Sequence, residues 1–172
     1  MGFESVGLSR LAIALVPCLR ETTISIPPED HLWRRFKDDP NHLTWDDELG
    51  PLPHEDKALQ FDNDLSTNWR EHLEGHRIGP SGVLGCGSKS AYTLVGELAV
   101  AQAQLMGFLV THSPDGKIPI ECSHTSVSWP PAEIHPPAKR PDKRARSRLR
   151  ADMARNFPFV YGEVTTPPPA GH

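Results

Sequence analysis

Prolines cut this chain into short pieces: there are 18 of them in 172 residues. A proline fixes φ and lacks a backbone donor, so neither a long helix nor a central strand runs through one. They gather at Pro27-Pro28, Pro51, Pro53, Pro130-Pro131 and Pro167 to Pro169, so part of the chain is expected to be irregular. With only 37% apolar residues, the core has to come from the middle of the chain, where the hydrophobic pattern is strongest.

That middle carries strand and helix signals in alternation. Ala91 to Val95 is β-branched and aromatic, and Leu98, Ala101 and Leu105 mark one face of a helix over 97–106, closed by Gly107. Phe108 to Thr111 then reads as a second strand, so 91–112 is a candidate βαβ unit, with one long helix over 90–106 as the rival reading. Ser113-Pro114-Asp115-Gly116 has the residues of a type I turn, followed by a return strand over 118–122 and 124–129 on which Thr125, Val127 and Trp129 alternate toward the core.

The flanks are weaker. Leu32, Trp33 and Phe36 fall at helical spacing after Glu29-Asp30, and 41–62 reads as an acidic loop with room for one short strand near Leu59 to Phe61. Asn68 with Glu71 three residues on resembles a capping box, which predicts a short helix ending in a left-handed Gly75. Ala145, Leu149 and Met153 recur every four residues, predicting a helix over 142–155, and Phe159 to Tyr161 a last strand. The expected fold is therefore α+β: a mixed sheet of three to five strands with two or three helices. Residues 1–25 read as an N-terminal extension, 26–164 as a single domain and 165–172 as a disordered proline-rich tail.

Charge is distributed unevenly within the net −4. Between Glu29 and Glu74 thirteen acids face five bases, whereas between Lys139 and Arg155 eight bases face two acids. These regions suit each other or separate partners. Cys18, Cys86 and Cys122 are widely spaced and odd in number, which indicates neither a disulfide framework nor a zinc ribbon and fits a reducing compartment. Arg10 followed by the apolar run Leu11 to Val16 and Cys18 imitates an export signal, but Pro17 breaks the pattern and the run is short for a membrane span. A soluble, cytoplasmic protein without membrane contact is expected.

Chemistry-bearing residues gather in one place. Alternation sets Cys122 and His124 on one strand face, and His112 beside them would complete a set of two imidazoles and a thiolate. Those donors suit zinc with an open fourth position; the same residues would serve a thiol mechanism with Cys122 as nucleophile and His112 as base. His72 and His76 are four apart, but Gly75 ends the helix between them, so they read as a polar helix end. Arg144, Arg146, Arg148 and Arg150 form a basic helix face able to track phosphates. Three function classes follow. The default is an accessory protein without a cofactor, engaging a protein partner through its charged faces. The second is a hydrolase or transferase at His112, Cys122 and His124, and the third a nucleic-acid contact module using the basic helix.

Overall fold

The computed structural model describes residues 24–60, 64–85, 91–116, 118–129 and 143–168. Its main sheet has seven strands: β1 (Ile24–Ser25), β2 (His31–Lys37), β5 (Asp64–Trp69), β6 (Tyr92–Ala99), β7 (Leu109–His112), β8 (His124–Ser128) and β9 (Phe159–Tyr161). They lie in the order β1-β7-β8-β5-β2-β6-β9. Every neighbouring pair is antiparallel. A separate hairpin joins β3 (Leu43–Asp46) to β4 (Gly50–Pro53). The helices are α1 (Arg70–Gly75), α2 (Pro80–Gly85), α3 (Val100–Leu105), α4 (Pro119–Cys122) and α5 (Lys143–Arg155). The α+β class holds. The sheet is larger than the three to five strands expected and is antiparallel rather than mixed, and the described residues alone hold five helices against the two or three expected. No described helix is long and apolar enough to cross a membrane.

The sheet is covered on both faces, which explains the extra strands. Leu32 and Phe36 of β2 enter a core with Leu65, Leu94, Leu98, Val110 and Val127, capped by Met153 and Ala154 of α5 and by Phe157. Trp33, on the opposite face, packs with Val95, Leu73 of α1 and Val83 of α2. A strand buried on both sides loses the alternation that marks a half-exposed one. Leu32, Trp33 and Phe36 therefore imitate a helix while forming a strand. The expected βαβ unit is also corrected. β6 and β7 run in the same direction, but β2, β5 and β8 lie between them.

Helix ends obey hydrogen-bond accounting rather than side-chain capping. No side-chain cap serves α3, yet Val100 N–H and Ala101 N–H donate to the carbonyls of Asp30 and Pro28 at 3.0 Å each. Gly107, at φ +88°, then ends this element as expected. The capping box at Asn68 does not form: Asn68 and Trp69 belong to β5, and α1 begins at Arg70 without a side-chain cap. The left-handed residue beyond α1 is Arg77, at φ 60°, not Gly75. The 41–62 stretch contains the β3–β4 hairpin, and Pro119–Cys122 form the single turn α4 instead of a strand. Pro119 opens that turn at a position where its missing N–H costs nothing.

The acidic and basic regions meet within the chain. Arg155 of α5 pairs with Asp46 of β3, and Arg150 with Asp56 beyond β4, both at 2.7 Å. After β9, the backbone N–H of Thr165 donates to the Asp38 carboxylate at 2.7 Å and that of Thr166 at 3.1 Å, tying the start of the expected tail to the end of β2.

Candidate functional site

Strand pairing decides which of the chemistry-bearing residues meet. His112 is the cross-strand partner of Thr125, so its side chain shares the Thr125 face. That face is interior: Thr125 is fully buried and His112 is 3% exposed. The His112 Nε2–H donates to the carbonyl of Cys122, and its ring meets the edge of Trp69 at 5.5 Å between centroids. His124, one residue before Thr125, points to the opposite face. The sheet thus separates the two imidazoles rather than converging them. Cys122 ends α4, is 1% exposed and is disulfide-bonded, against the expectation drawn from three widely spaced cysteines. In that state it offers no thiol. Among the described residues no group of three or more His, Cys, Asp or Glu side chains is arranged to hold a metal ion. His72 is buried at 1% exposure, with its ring 5.0 Å from that of His76 and 6.2 Å from that of His112.

His124 enters a different constellation. β5 pairs with β8 so that Asn68 lies opposite His124 and Ser66 opposite Ser126. Diagonally across this pair, the Ser66 hydroxyl lies 2.7 Å from His124 Nε2. On its other side, His124 Nδ1 lies 2.7 Å from the carbonyl oxygen of Ser113 and 2.9 Å from its hydroxyl. A carbonyl oxygen can only accept, so Nδ1 carries a proton, and in the neutral imidazole Nε2 presents its lone pair. The Ser66 hydroxyl is therefore the donor to Nε2. The relay runs further: Ser113 Oγ lies 2.9 Å from Ser126 Oγ, which donates to the Asp64 carboxylate at 2.8 Å. Asp115 places a carboxylate oxygen 3.6 Å from Nε2, where it would face a protonated imidazole.

Ser66, Asn68, His124 and Asp115 line a groove of about 350 Å³ walled by Val83 of α2 and by Ile118, Ile120 and Glu121 around α4. Arg35 lines both this groove and an adjoining pocket of about 260 Å³ that it shares with Ser66, Asn68 and Tyr92. Its guanidinium stands 5.2 Å from the centre of the Tyr92 ring. Two side chains hold the floor and wall in register. Asn68 Nδ2 donates to the Ile120 carbonyl at 3.1 Å and to Ser123 Oγ at 2.9 Å, fastening α4 to β5. Arg34 donates to the carbonyls of Ser66 and Ala58, and desolvation lowers its pKa to about 10, which leaves it charged at neutral pH.

Of the residues expected at a site, only His124 belongs to this groove. Ser66, Asp115 and Arg35 are additions, and Ser113 holds His124 from behind. A signal for Ser66 was present: Leu65, Thr67 and Trp69 alternate as buried residues, which sends Ser66 and Asn68 to the other face. The expected phosphate-tracking face of α5 is divided as well, with Arg144 and Arg148 exposed and Arg146 and Arg150 partly buried. No protein-family model matches the chain, and no curated protein or solved structure is similar to it.

Proposed function

We propose that the protein is a hydrolase or transferase in which Ser66 is the nucleophile and His124 its general base. The observation that carries this reading is the tautomer of His124, fixed by the Ser113 carbonyl so that Nε2 accepts the Ser66 proton. Attack of Ser66 Oγ on an electrophilic acyl carbon would send that proton to Nε2, and the imidazolium would return it to the leaving group. Water, activated by the same nitrogen, would then release the acyl group; an acceptor other than water makes the reaction a transfer. Asp115 faces the imidazolium that forms in both steps, and Arg35 brings positive charge to the groove where negative charge develops on the substrate.

The accessory-protein and nucleic-acid readings draw on the charged regions. Both are less well supported, because Arg150 and Arg155 of the basic helix are paired with Asp56 and Asp46 of the same chain. The test is labelling by a fluorophosphonate, which reacts with activated serines, together with hydrolysis of small activated esters. Ser66→Ala should abolish labelling, and His124→Ala should slow labelling and turnover by about 10²–10⁴, the usual contribution of a general base. Labelling at another residue, or labelling at Ser66 that is indifferent to His124→Ala, would remove the proposal.

A further inference from the structure

A second concave site lies away from the serine and depends on none of its residues. One face of α5 and the segment after β4 enclose a pocket of about 380 Å³ lined by Asp56, Lys57, Gln60, Lys143, Arg146 and Arg150. Four cations against one carboxylate give this small volume a local excess of three positive charges in a chain whose net charge is −4. The convergence follows from helix geometry. Positions 143, 146 and 150 are separated by three and four residues and share one face. Arg144 and Arg148 lie roughly 100° or more around the helix from Lys143.

The arginine heads show what the pocket is suited to hold. Asp56 Oδ1 accepts from Arg150 Nη2 at 2.7 Å, which fixes that guanidinium against the wall. The Nε–H groups of Arg146 and Arg150 are both buried and have no hydrogen-bond partner. Buried donors of this kind are costly unless an acceptor reaches them, and guanidinium groups match phosphate oxygens in geometry and charge. A concave cluster of cations suits a compact anion, whereas a strand of nucleic acid is better matched by charges along an exposed helix face.

We propose that this pocket binds a compact diphosphate, a compound with two linked phosphate groups, through Lys57, Lys143, Arg146 and Arg150. Two phosphates carry a charge on the order of −3, which balances the excess in the pocket. Asp56 would then act as a competitor that weakens binding while holding Arg150 in place.

Titration calorimetry of the full chain with pyrophosphate at low salt tests this. A single saturable site is expected. Lys143→Gln, at an exposed position, and Arg146→Gln should each weaken it about tenfold through loss of a charge-assisted contact. Asp56→Asn should tighten it several-fold, which a purely structural role for Asp56 would not do. Each variant should melt at the temperature of the unsubstituted protein. Absence of saturable binding would overturn the proposal, as would equal affinity in the Lys143→Gln and Arg146→Gln variants. So would a duplex nucleic acid that binds more tightly than pyrophosphate and depends on Arg144 and Arg148, since the ligand would then be a strand lying across the other face.

Discussion

Gly96 is expected to be among the least tolerant positions in the sheet, and alanine there measures how tightly the main core is packed. It lies buried in β6, where it pairs with Arg34 of β2 and Phe159 of β9. A Cβ at this position would come within 2.7 Å of Phe36 Cε2 and 2.9 Å of Phe157 Cδ1, closer than carbon atoms approach without displacement. Neither ring can retreat freely. Phe36 stands edge-on to Phe157 at 5.2 Å and to Phe159 at 5.6 Å between centroids, so moving one disturbs the others. Glycine in a strand interior commonly marks such an approach. Overpacking by one methyl group costs about 1–3 kcal/mol, offset by a gain of about 0.4–1 kcal/mol from the stiffer unfolded chain. The net loss of about 0.5–2 kcal/mol should lower the melting temperature by roughly 1–8 °C for a domain of this size. Gly79→Ala is the control, because nothing lies within 4 Å of its Cβ and its φ is not positive. Thermal unfolding followed by circular dichroism should place Gly96→Ala below the parent and Gly79→Ala at or slightly above it. If both variants melt at the parent temperature, the rings do not close on Gly96 and the packing described for this face is wrong.

Three further measurements bear on polar groups held by hydrogen bonds. Thr67 and Thr125 share a hydrogen bond in the interior, so Thr67→Val, which strands the Thr125 hydroxyl, should cost about 1–3 kcal/mol in denaturant unfolding, while the Thr67→Val/Thr125→Val pair should cost less. Equal losses would mean that the hydroxyls are not paired. Burial raises the pKa of Asp30, against the opposing effect of the hydrogen bond from Trp69 Nε1. The folded state then holds this proton more tightly than the unfolded chain, and the associated stability is lost as pH rises above 3.8 through the raised value. Asp30→Asn should remove that loss, and its advantage over the parent should grow between pH 4 and pH 7; a gap that is flat with pH would contradict it. For Asp38, desolvation acts upward but is outweighed by hydrogen bonds from Thr165 and Thr166, which bring its pKa down to about 2. The sign is opposite: the clamp is fully present above 3.8 and is lost as pH falls through about 2. The amide resonance of Thr165 should titrate with that low midpoint, and a midpoint at the ordinary carboxylate value would refute the contact.

How far the site could be read from the sequence turned on parity and partners. Parity along β8 was legible: Thr125 and Val127 are buried and His124 faces the other way, as the alternation required. The same parity misled at Cys122, because Pro119 turns residues 119–122 into a helical turn and the alternation does not extend back through it. His112, at the end of the strand before the turn, is expected beside His124, but antiparallel register matches it with Thr125 and so assigns it to the other face. Capping chemistry at Asn68 and Glu71 competed with the alternation of Leu65, Thr67 and Trp69, and the alternation prevailed because β8 and β2 supply partners on both sides of β5. A local propensity cannot report such a pairing. The Ser66–His124 contact joins residues 58 positions apart, and it exists only because β5 sits next to β8 in the sheet order. What the sequence carries is the placement of His124 on the face opposite Thr125 and Val127. The proposed nucleophile is brought there by topology, so any change that shifts β5 by one residue against β8 would bury Ser66 and bring Leu65 or Thr67 to the imidazole in its place.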